Sequence, residues 1–141
     1  MTRPQLPHAP PMHWLDAATL SGRTTTATRH ISPDHLFVKN HELLPSALIE
    51  LLAQTAAAGA ILRAQHARSA LPTRGLLAAI RDLRVHAPVP VNSTLTLTAA
   101  LLLTRGPLSQ CHARAHIGDR LVVEATMTFH VTVSPLIADI E

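Results

Sequence analysis

A chain of 141 residues with 47% hydrophobic content fits one domain, 1–141, whose core needs no disulfide, since Cys111 has no second cysteine to pair with. The formal charge of +3 is spread over scattered arginines and the lone Lys39, and Trp14, Phe37 and Phe129 are the only aromatic residues. Without a platform for base stacking, nucleic acid is not an expected partner, whereas a mild, dispersed positive charge suits an acidic protein. The opening Met1-Thr2-Arg3-Pro4-Gln5 does not read as a signal peptide, and the longest apolar stretch is interrupted by Glu50, Gln54 and Arg63. No membrane span and a soluble cytoplasmic protein are therefore expected.

In chain order, Pro4 to Pro11 is proline-rich and reads as an extended lead-in. Met12 to Leu20 is apolar enough for a strand, and Ser21-Gly22 is a turn signal. Arg23 to Ile31 is threonine-rich with a period of two and predicts a second strand, broken by Ser32-Pro33-Asp34. A helix then runs from Pro45 or Ser46 to Ala67 or Arg68, with proline in its first turn and Arg63 and Arg68 near its end, where they suit the dipole. Four more strands follow, over Gly75–Val85, Ser93–Thr104, Ser109–Ile117 and Leu121–Val133. The clearest alternates Thr94, Thr96 and Thr98 with Leu95, Leu97 and Ala99. Two strands, one helix and four strands predict an α+β domain, with an antiparallel sheet wrapped around one long central helix.

The helix is the informative element. From Ser46 to Leu62 its only strongly polar side chains are Glu50 and Gln54, four residues apart and so stacked on one face. A helix apolar all round is a buried helix, and a carboxylate in it costs free energy unless paired or protonated. That isolation suggests chemistry for Glu50, but the residues by themselves favour the plainer reading of a glutamate suited to the helix start or paired with an arginine. Gln54 reads as an amide that orients Glu50 or satisfies buried backbone. Ser46 reads as a helix cap, and Cys111, on the apolar alternation of its strand, as a core residue. The ten histidines suggest a metal, but His112 and His116 lie roughly 13 Å apart along a strand. No CxxC or HExxH spacing occurs, so neither a metal nor any other cofactor is expected.

Five segments, in order, resemble the hotdog-fold 3-hydroxyacyl-acyl carrier protein dehydratases. They are Leu6-Pro7-His8 with Leu15-Asp16, Ile31-Ser32 with Phe37, Glu50 with Ala53-Gln54, Arg84 with Pro88-Val89-Pro90-Val91, and Val123-Glu124-Ala125-Thr126-Met127. The short loop ending in Leu44-Pro45 is similar to the divergent dehydratase-like proteins of aryl polyene and pigment clusters. The resemblance implies a site shared between two chains of a homodimer or heterodimer, acting on acyl thioesters of acyl carrier protein. It implies His41 as the base, with His35 as its rival, and Glu50 as the acid. Ser46 falls at the helix start, where a backbone N–H would meet the thioester carbonyl. Substrate contacts are expected from Ser46 and Gln54, and from Ala57, Ala58 and Ile61 along an acyl tunnel. The His41 loop is contracted and lacks the family's glycines. That contraction keeps a second reading open, a catalytically weak subunit that pairs with an active dehydratase; a thioesterase ranks below both.

Overall fold

The computed structural model describes residues 14–133. The lead-in, His8 and the first part of the expected opening strand lie outside the described residues. The strands are β1 (Ala17–Ser21), β2 (Thr24–His30), β3 (Val38–Lys39), β4 (Glu42–Leu43), β5 (Pro72–Val85), β6 (Thr94–Arg105), β7 (Leu108–Ile117) and β8 (Arg120–Val133), with one helix, α1 (Pro45–His66). Six of them form a single antiparallel sheet in the order β1-β2-β6-β7-β8-β5. The helix packs against β1, β2, β5, β6 and β7. This is the hotdog arrangement that the sequence predicts.

Alternation builds the inner face of the sheet. Leu95, Leu97 and Ala99 of β6, Cys111, Ala113 and Ala115 of β7, and Val123, Ala125 and Met127 of β8 are all buried, while the residues between them are less buried; Val122, before Val123, is an exception and is buried too. The register aligns Ala99, Ala113 and Ala125 across three strands. That row of methyl groups leaves room for a helix to approach closely. On the helix, Ala47, Leu48, Leu51, Leu52 and Ala58 are buried in one cluster with Ala113 and Ala125, and Ala56 is clustered with Ala99 and Cys111.

One close approach is at Gly59, where an added Cβ would collide with Oγ1 of Thr25 on β2. The Thr25 hydroxyl is fully buried and has no hydrogen-bond partner among the described residues. Sterics thus require glycine here, although glycine is the poorer helix former.

The β3–β4 hairpin was not expected from the sequence. Lys39 pairs with Glu42 across Asn40 and His41, both with positive φ (54° and 64°), the backbone sign of a type I′ turn. Leu43 N–H donates to Val89 O and Val91 N–H to His41 O, so the hairpin is held on the Pro88–Val91 corner.

Gly59→Ala should lower stability by about 1–3 kcal/mol through overpacking, despite the better helix propensity of alanine. Adding Thr25→Ala removes the obstructing hydroxyl without breaking a hydrogen bond, and should restore much of the loss. Denaturant unfolding of the two single variants and the double variant measures this coupling; strictly additive effects would place the constraint elsewhere.

Candidate functional site

Glu50 lies in the second turn of α1 and is half-buried rather than sealed, because its side of the helix opens onto a cavity. Gln54, one turn later, is fully buried. Its Oε1 accepts the backbone N–H of Trp14 at 2.9 Å, and its Nε2 donates to Oε1 of Glu50 at 2.9 Å. The amide therefore bridges the β1 approach and the carboxylate, and the Trp14 N–H fixes which way round it sits.

The cavity has a volume of about 280 Å³ and runs between the helix and the far half of the sheet. Glu50, Ala57 and Ile61 line it, opposite Leu76, Leu77 and Phe129. The remaining expected contacts fall outside it. Ala58 is completely buried against the sheet, so the wall is formed by the Ala57 side of the helix instead. Ser46 is exposed in the first turn and caps nothing; the N-cap is Leu44, without a side-chain cap, and Pro45 follows at the first helical position. Gln54 does not line the cavity but is hydrogen-bonded to Glu50, which does.

The two histidines occupy opposite environments. His41 is exposed at the tip of the β3–β4 turn and does not line the cavity of its own chain. His35 is buried, edge-on to Trp14 with ring centroids 4.8 Å apart. Its Nδ1 accepts the Phe37 N–H at 3.1 Å, which puts the proton of the neutral ring on Nε2. That Nε2 is buried without a hydrogen-bond partner. Burial first, and then the Arg29 charge, push the His35 pKa below the ordinary value, with Asp34 opposing.

Most of the lining was not read from the sequence as site residues, Cys111 and Arg63 included. Cys111 is buried at the cavity wall, and burial raises its thiol pKa against the pull of Arg63. Arg63 itself faces the cavity from the last turns of α1. Among the described residues no group of three or more His, Cys, Asp or Glu side chains is placed to hold a metal.

Residues 2–135 match the family described as "ApeP-like: ApeP dehydratase". The chain is 27% identical over 133 residues to a 3-hydroxyacyl-[acyl-carrier-protein] dehydratase FabZ of Macrococcus caseolyticus, covering 89% of each chain. Its fold is similar to that of the dehydratase heterocomplex ApeI:P from Xenorhabdus doucetiae, with a TM-score of 0.81 at 19% identity over 96% of this chain and 91% of that one. A hypothetical thioesterase with coenzyme A from Streptococcus pneumoniae TIGR4 shares the fold at a TM-score of 0.66 and 12% identity, over 86% and 90% of the two chains.

The environment of His35 sets a pH dependence. Because its folded pKa lies below the ordinary value of about 6.5, the unfolded chain takes up the proton first as the pH falls. Stability should be fully present above that value and should decline as the pH drops below it, down to the folded pKa. Denaturant midpoints measured from pH 8 to pH 5 should show this decline in the wild type and a shallower one in His35→Phe. Identical slopes would mean that His35 is not held neutral in the core.

Proposed function

The chain belongs to the ApeP-like dehydratase family, and on that footing we propose that it removes water from 3-hydroxyacyl thioesters held on acyl carrier protein, in fatty acid or polyene-type biosynthesis. The observation that carries this reading is Glu50, a carboxylate in a largely apolar helix, hydrogen-bonded by Gln54 and lining a mostly apolar cavity.

In this mechanism the imidazole of His41 takes the proton next to the thioester carbonyl. Glu50 gives a proton to the departing hydroxyl, and the C–O bond breaks as the double bond forms. The Ser46 N–H, in the first turn of α1 and at the positive end of its dipole, polarises the carbonyl oxygen. The acyl chain lies along Ala57 and Ile61. His35 is a poor base, since its ring is enclosed by Trp14 and Phe37, whereas His41 is open to a substrate.

His41 does not reach the cavity of its own chain, so a site that uses both groups needs a second chain. The sheet supplies a place for one. β5 is an edge strand of 14 residues, and its Leu76, Leu77, Leu83 and Val85 are exposed. A long apolar edge calls for a cover. Pairing at this edge in a homodimer, or with another hotdog chain, also brings a foreign loop toward the β5 wall of the cavity. The protein works in the cytoplasm without a metal or other cofactor.

A second reading has its own support. The His41 loop is contracted, and one similar structure is described as a heterocomplex. On that reading this chain orders a catalytic partner and turns over little by itself.

Light scattering at micromolar concentration should give a dimer, alone or with a partner hotdog chain; monomer in both cases would remove the shared site. Incubation with carrier-bound 3-hydroxyacyl thioesters should show the mass loss of one water. Glu50→Gln and His41→Ala should each slow that loss by about a hundredfold or more while leaving the fold intact. If the wild type is inactive alone, and a partner's activity survives both substitutions, the partner-subunit reading replaces the catalytic one.

A further inference from the structure

We infer that the cavity accepts an acyl chain whose far end carries an anionic oxygen group such as a carboxylate, and that Arg63 is the residue that selects for it. The inference rests on the cavity being the acyl site proposed above and names what lies at its other end.

Glu50 and Arg63 both line this cavity, from opposite ends of α1. Thirteen residues of helix rise separate them by about 20 Å along the axis. Between them the helix offers Ala53, Ala57, Ala60 and Ile61, which can grip a hydrocarbon and nothing polar. A cavity built only for methyl-ended chains would be lined by apolar side chains throughout. This one has a guanidinium in its lining as well.

The Arg63 end is also cationic beyond that one side chain. Arg74 lines the same cavity, close to the start of β5, which follows α1 after a short connection. Arg23 lies near enough to repel the Arg63 charge, and its own guanidinium is occupied by the carbonyls of Leu101 and Leu102. Arg63 has no hydrogen bond or ion pair to any described residue, and its Nη1 lies 3.3 Å from where a Cβ on Gly59 would stand. Burial weakens its hold on the proton, and the only opposing influence is the Cys111 thiol, itself pushed toward the neutral form. A half-buried cation among like charges costs stability, which an incoming anion would recover. A role limited to the helix dipole would be met equally well by a side chain turned to water.

The test separates binding from turnover. Two non-hydrolysable acyl-pantetheine amides of equal length, one ending in methyl and one in carboxylate, are titrated calorimetrically into the protein in its native assembly. The carboxylate-ended probe should bind wild type about tenfold or more tightly than the methyl-ended one. Arg63→Met should abolish or reverse that preference, and Arg63→Lys should keep part of it. Equal affinities in wild type, or a preference that survives Arg63→Met, would overturn the inference. Should Arg63→Met fail to fold, the wild-type comparison and Arg63→Lys still decide. Dehydration of a 3-hydroxyacyl thioester, assayed in parallel, reports on the dehydratase reading independently of this result.

Discussion

The close seating of one apolar helix on a sheet floored with methyl groups is the constraint from which the other features follow. α1 has no polar face to offer to water, so it is stable only where the sheet curls around it. The sheet accepts it because Ala99, Ala113 and Ala125 stand in register beneath it and Gly59 meets Thr25 without a side chain of its own. Larger residues in that row would lift the helix and open a void along its length. Under β1, β2 and β6 the fit is tight. Toward β5 the same helix presents Ala53, Ala57 and Ala60, and the small side chains that let it approach the sheet elsewhere here leave space unfilled. The cavity is thus what remains when a helix of small residues is packed closely on one side only.

That asymmetry joins the site to the exposed edge. β5 pairs with β8 alone, and register shifts interrupt the pairing at three places. Asp82, within the last of these irregular stretches, has a φ of 53°. Irregularities of this kind twist an edge and limit unspecific pairing. Leu76 and Leu77 belong to the cavity wall and also to the exposed strand. A chain covering β5 would therefore also change the shape and access of the cavity, so on the proposed function assembly and substrate fit would share one set of residues.

Much of this could be read from the residues, and the exceptions have physical causes. The long strands were legible because period-two alternation is imposed wherever one face is buried, as in Thr94–Ala99. The β3–β4 hairpin was not, since two-residue strands carry no period and Asn40-His41 is a weaker turn signal than Asn-Gly. Within α1, pattern marked Glu50 but could not tell Ala57 from Ala58, because an all-apolar helix gives no clue to which face meets sheet and which meets space. Arg63 was legible only as a charge suited to a helix end; that it lines the cavity depends on packing that the helical pattern does not encode. Ser46 looked like a cap by residue type, yet Pro45 begins the helix one position earlier and leaves Ser46 inside the first turn.

Gln54 shows how the buried scaffold reaches the chemistry. An amide has two unlike ends, and the Trp14 N–H can be met only by the oxygen. Once Oε1 is committed there, the nitrogen must point at Glu50, where it donates to Oε1 of the carboxylate. On the proposed mechanism, a Glu50 acid that accepts this hydrogen bond on Oε1 would give its proton from Oε2. The core contact at Trp14 is thus tied through one amide to the orientation of the carboxylate.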